Sequence, residues 1–102
     1  MSKELEAVLQ DIKKRPGVYL GKETLDGLMS FVYGYMHCMN IRDGNLPDDF
    51  VGFQEFVEKY YCLEKFCLNR FWADIIEFFS DSEEDAFYKF YELFYEFSKT
   101  EN

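Results

Sequence analysis

SDSEEDAFYKFYELFYEFSK, residues 80–99, reads as one long amphipathic helix with a marked start. Ser82 followed three residues on by Asp85 has the spacing of a capping box, and Glu83, Glu84 and Asp85 stand where the positive end of the helix dipole favours carboxylates. At about 100° per residue, Ala86, Phe87, Phe90, Leu93, Phe94 and Phe97 fall on one side, which the pattern assigns to a core. The opposite side gathers Tyr88, Tyr91, Glu92, Tyr95 and Glu96, with Lys89 at its edge. Solvated helix faces are usually built of Lys, Glu and Gln. Tyrosine is enriched where proteins bind one another, because it brings area and a hydroxyl at low entropic cost. This face is the first candidate for a partner-binding surface; the competing reading is that another helix covers the tyrosines.

Working towards the N-terminus, the same period recurs. Leu68, Trp72, Ile75, Ile76 and Phe79 describe a fourth helix over residues 66–79, preceded by a third that carries Phe50, Phe53, Phe56, Val57, Tyr60 and Tyr61 and is capped by Asp48 or Asp49. The join at residues 62–65 holds no strong breaker. A second helix begins after Thr24, with Leu25, Leu28, Val32, Tyr35, Met36 and Met39 inward, and ends near Ile41 before the turn formers of residues 43–47. Gly27 and Gly34 either weaken it or admit a close neighbour. The first helix carries Leu5, Val8, Leu9 and Ile12, takes Ser2 as a cap and stops before Pro16. Between the two lies RPGVYLG, residues 15–21, an ordered connector with a short strand-like stretch at Val18 to Leu20. Five helices with short joins predict an all-α protein, an irregular five-helix bundle forming a single domain over residues 1–102.

The composition suits that fold. Within 102 residues, 48% are hydrophobic and 21% aromatic, with 12 Phe and 8 Tyr, so one aromatic-rich core is affordable and disorder is not expected. Net charge is −9 and unevenly spread: residues 1–42 carry 5 acids and 6 bases, residues 43–102 carry 15 acids and 5 bases. A field of that sign repels phosphate backbones and anionic lipid and steers a basic partner inwards, so direct binding to nucleic acid or membrane is not expected. The alternative is that the charge only keeps an aromatic-rich domain soluble. Asp74, Glu77 and Asp81, with Asp48 and Asp49, are secondary candidates for partner contact, against a plain reading as solvated surface.

Nothing in the pattern points to catalysis, a metal or a cofactor. Cys38, Cys62 and Cys67 are separated by 23 and 4 residues, leave one thiol unpaired in any disulfide scheme and read as reduced thiols of a cytoplasmic protein. His37 is the single histidine, whereas a zinc site usually takes about four ligands at short spacings. Cys38 beside His37 is no nucleophile–base pair, since neighbours on a helix diverge by about 100°. Carboxylates abound, but acid catalysis needs a pocket that raises a pKa. The charged start of the chain does not resemble a signal peptide, and no apolar run reaches the roughly 18 residues of a membrane span.

RPGVYLG resembles the R-P-G-M-Y-I-G stretch of the ATPase domain of the DNA gyrase B subunit, but the helix bearing its catalytic Glu and magnesium-binding Asn has no counterpart, so ATPase activity is not expected. A broader resemblance rests on Arg15 to Gly21, on Leu25, Leu28, Phe31, Gly34 and Tyr35, on Asp49, Phe50, Phe53, Phe56 and Val57, on Trp72, Ala73 and Ile76, and on Glu83, Glu84, Ala86, Phe87, Phe90, Leu93 and Phe97. Over nearly its full length the chain is similar to small bacterial immunity proteins of contact-dependent growth inhibition and related polymorphic toxin systems. The resemblance implies a protein that is no enzyme and that neutralises a cognate toxin domain, commonly a nuclease. An acidic inhibitor complements a nuclease's basic surface and gains association rate from it. Two readings compete: a structural or adaptor subunit in a homodimer or fixed complex, and a phosphate-mimicking inhibitor of a DNA-binding protein. The immunity role implies a monomer or weak homodimer.

Overall fold

Proline at 16 and glycines at 21 and 52 punctuate the chain, of which the computed structural model describes residues 3–43, 50, 52–63 and 70–100; the regular structure among these residues is helical. Among them run α1 (Lys3–Lys14), α2 (Pro16–Leu20), α3 (Leu25–Asp43), α4 (Phe53–Tyr60), α5 (Trp72–Phe78) and α6 (Glu83–Thr100). The protein is all-α, as the periodicity predicts, with six helices among the described residues where five are expected. It divides into two compact units, Met1–Asp49 and Phe50–Asn102.

In the first unit α1 buries Leu5, Leu9 and Ile12, its i, i+4, i+7 stripe. It breaks at Arg15 (φ −139°, ψ 61°), because a proline disfavours the helical conformation of the residue before it. The strand-like reading of Val18 to Leu20 is corrected: these residues form α2. Pro16 sits at its first position, where its fixed φ suits a helix, and Gly21 closes the turn at φ +81° with its N–H donating to the Gly17 carbonyl at 3.2 Å. α2 touches both α1 and α3. The Thr24 hydroxyl accepts from the Gly27 N–H at 3.1 Å and caps α3 as expected. Leu25, Leu28, Met29 and Val32 are buried, while Tyr35, Met36 and Met39 are only half-buried. The cap predicted at Ser2 lies outside the described residues.

The second unit is organised around Phe53. Its ring meets Trp72 edge-on at 4.8 Å, Phe90 at 5.9 Å, Phe94 at 5.5 Å and Phe97 at 5.3 Å, which ties α4 to both α5 and α6. Such edge-to-face contacts favour the ring quadrupoles and add to the burial of area. Phe53, Phe87 and Phe90 are fully buried, so truncating any of them to alanine costs about 3–5 kcal/mol. α4 starts at Phe53, after Gly52 at φ +87°. The caps predicted at Asp48 and Asp49, and Leu68 of the predicted fourth helix, lie outside the described residues. α5 starts at Trp72, because Phe71 is extended (φ −65°, ψ 145°) and Gln54 supplies the cap from outside the helix; residues 66–69 of the predicted fourth helix lie outside the described residues. α6 follows its sequence closely: the Asp85 N–H donates to Ser82 Oγ at 3.0 Å, and all six predicted core residues are buried.

Candidate interaction surface

On α6 the outward residues Tyr88, Glu92, Tyr95 and Glu96 are exposed, Tyr88 by 40% and Tyr95 by 60%. Tyr91 is not among them. It is 4% exposed, with its ring edge-on to Phe87 and to Phe90, each at 5.3 Å. The correction has a geometric reason: about 40° separates Tyr91 from Phe87 around the helix, so a buried arc slightly wider than the six core residues takes it in. Burial, and after it the neighbouring Tyr88, push the Tyr91 hydroxyl above the ordinary tyrosine pKa of 10.0. Tyr88 and Tyr95 stand about 20° apart around the axis and remain a paired outward feature flanked by the two glutamates. Lys99 Nζ lies 4.8 Å from the centre of the Tyr95 ring.

Of the secondary candidates, Asp74 and Asp81 are exposed and Glu77 is half-buried; Asp48 and Asp49 lie outside the described residues. Asp81 lines a hollow of about 360 Å³ together with Tyr60, Tyr61, Phe79, Ser80, Asp85 and Lys89. Asp74 lines a second, of about 390 Å³, with Leu63, Arg70, Ile75, Phe78 and Phe79. Lys89 connects the first hollow to the outward face of α6. Its ammonium donates to the Tyr60 hydroxyl at 2.6 Å and to Glu92 Oε1 at 3.2 Å, and sits 4.7 Å from the centre of the Tyr60 ring. The bond to Tyr60 raises the Lys89 pKa most; desolvation offsets part of that, and the bond to Glu92 adds to the rise. The ammonium is thus a fixed part of this wall.

Local chain geometry builds these hollows. α4 ends in a Schellman motif: the Leu63 N–H donates to the Glu58 carbonyl at 2.8 Å and the Cys62 N–H to the Lys59 carbonyl at 3.0 Å, with Cys62 left-handed at φ +60°. That turn delivers Leu63 to the wall shared with Ile75 and Phe78. Tyr61, just beyond α4, stacks on Phe79, just beyond α5, at 4.6 Å and 10°. The helical period predicts that both point inward, with Tyr60. Instead Tyr60 is 47% and Phe79 49% exposed, because α4 and α5 end at Tyr60 and Phe78 and the period loses its hold there. Phe78, at 80%, has no counterpart among the predicted site residues. Its signal in the sequence is the Phe78-Phe79 pair directly before the turn formers Ser80, Asp81 and Ser82: two adjacent rings cannot both face one core.

His37, Cys38 and Cys62 are exposed. Among the described residues no three His, Cys, Asp or Glu side chains gather as a metal site would need, and no helix is long and apolar enough to cross a membrane. What the second unit offers chemically is a surface in which large aromatic side chains and carboxylates alternate. No protein-family pattern, curated protein or solved structure matches the chain.

Proposed function

We propose that the chain is an immunity protein, which works in the cytoplasm by binding and neutralising a cognate toxin domain, a nuclease with a basic substrate surface, and which catalyses nothing itself. The observation that carries this reading is the company kept by the exposed rings: Tyr88 and Tyr95 beside Glu92 and Glu96, and Phe78 and Phe79 beside Asp74 and Asp81. Interfaces draw their energy from a few desolvated aromatic anchors, and charge around them sets partner choice and association rate. The excess of acids in residues 43–102 supplies that charge with the sign a phosphate-binding partner requires.

The test is co-expression. The C-terminal domain encoded immediately upstream is expressed in cells with and without this chain, and growth is recorded. Protection is expected, and it should be lost when Tyr88→Ala, Glu92→Lys and Tyr95→Ala are combined while helicity stays unchanged. An upstream domain that is harmless, or that kills equally with and without the chain, overturns the reading.

A second reading is favoured by Phe78, whose 80% exposure suits a face closed by another copy of the chain in a fixed structural complex. Light scattering over about a hundredfold dilution separates the two, since an obligate subunit keeps its assembled mass and an inhibitor that acts alone does not.

A further inference from the structure

We infer that the corner between α5 and α6, where Phe78 and Phe79 stand between two hollows, is a docking site for a partner segment that sets a large apolar side chain beside an arginine or lysine. This deepens the proposed function and rests on it for the basic character of the partner. Leu63, Ile75, Phe78 and Phe79 give the first hollow, of about 390 Å³, a largely apolar wall, and that volume is ample for one leucine- or phenylalanine-sized side chain. The second, of about 360 Å³, sets Asp81 and Asp85 against the stacked Tyr61–Phe79 pair. Phe79 belongs to both, so the two occupants must be neighbours on one segment.

Charge decides what enters the second hollow. Lys89 lines it too, yet its ammonium is held by Tyr60 and Glu92 rather than by Asp81 or Asp85. The same Lys89 over the Tyr60 ring exemplifies how this aromatic wall receives a cation. An incoming guanidinium has a flat ring to stack on and carboxylates to bond, and Arg is the side chain best suited to that combination. The surrounding excess of acid repels an acidic or phosphorylated segment of the same shape.

The full-length protein, isotope-labelled for NMR, is titrated with three end-capped peptides that alternate leucine with arginine, leucine with glutamate, and serine with arginine. The leucine–arginine peptide is expected to shift resonances of Leu63, Ile75, Phe79, Asp81 and Asp85, the leucine–glutamate peptide to leave them in place, and the serine–arginine peptide to bind more weakly. Phe78→Ser, and separately Asp81→Asn with Asp85→Asn, should each weaken the first peptide by about tenfold with unchanged helicity. Equal response to the glutamate peptide, shifts confined to other surfaces, or unchanged binding by both variants overturns the assignment. Toxin protection that survives all three substitutions also sinks the site while leaving the immunity role intact; peptide binding mapped to the corner without any protection upholds the site and removes the role.

Discussion

The side-chain amide of Gln54 holds the start of α5: the Trp72 N–H donates to Gln54 Oε1 at 2.8 Å, and Gln54 Nε2 donates to the Arg70 carbonyl at 2.7 Å and to Glu58 at 3.1 Å. One residue of α4 therefore does for a neighbouring helix what a Ser or Asp cap does for its own. It also fixes Trp72, whose ring stacks on Phe50 and Phe90, within the aromatic cluster.

Replacing Gln54 by alanine leaves the Trp72 N–H and the Arg70 carbonyl without this partner, and should cost about 1–2 kcal/mol. Gln54→Glu tests the direction of the bonds. It keeps an acceptor for Trp72 but turns a second acceptor towards the Arg70 carbonyl, so it should recover only part of the loss. Urea unfolding of the three proteins checks this; a glutamate variant as stable as the parent contradicts the two-way bond.

Cys62 occupies the left-handed position of the Schellman motif that ends α4, where glycine carries no steric penalty. The thiol is exposed, so little packing is lost on removing it. Cys62→Gly should stabilise the protein by about 0.5–1 kcal/mol, the relief of backbone strain less the extra entropy of a glycine in the unfolded chain. Cys62→Ala keeps the strain and serves as the control in denaturation under reducing conditions. Equal stability of the two variants removes the argument.

The same residues mark where sequence reading stops. The core face of α6, its Ser82 cap and the Thr24 cap of α3 are legible because each rests on a local rule, a 3.6-residue period or a hydroxyl three residues from its donor. Gln54 is not legible, since its partners lie 16 and 18 residues along the chain and nothing in residues 53–57 distinguishes it from a solvated glutamine. Cys62 conceals a helix end that a glycine would have announced. Tyr91 shows that a wheel orders residues around a helix but does not fix how wide the covered arc is. Phe79 falls just past the end of α5, so a period carried through it assigns the wrong side.

Two glycines of α3 should respond oppositely to the same change. A methyl group at Gly34 meets nothing within 4 Å, so Gly34→Ala should gain about 0.5–1 kcal/mol from helix propensity alone. At Gly27 the added carbon stands 3.0 Å from Thr24 Oγ1, the oxygen that caps the helix, and 3.7 Å from Leu20 Cβ. Gly27→Ala must push the cap aside, and the cap is worth about 1 kcal/mol, so the propensity gain is cancelled or reversed. Thermal unfolding ranks the variants, with Gly34→Ala above the parent and Gly27→Ala at or below it.

Burial of Tyr91 sets an alkaline limit on stability. Its hydroxyl is shifted upward from 10.0 in the folded chain, so above that pH the unfolded chain releases a proton that the folded chain retains. Fewer protons bound in the unfolded state means that stability falls as pH rises, by up to about 1.4 kcal/mol per pH unit for one such group. Its contribution is whole below pH 10.0 and is lost as pH climbs through the raised value. Tyr61, also raised chiefly by burial, and Lys89, raised chiefly by its bond to Tyr60, act with the same sign, so the slope does not vanish when Tyr91 is removed. Tyr91→Phe should therefore flatten the decline in unfolding free energy above pH 10 without abolishing it, as urea unfolding across that pH range would record. A Tyr91→Phe protein with the parent's slope would mean that this hydroxyl titrates as freely in the folded chain as in the unfolded one, and that Tyr91 belongs to the outward face after all.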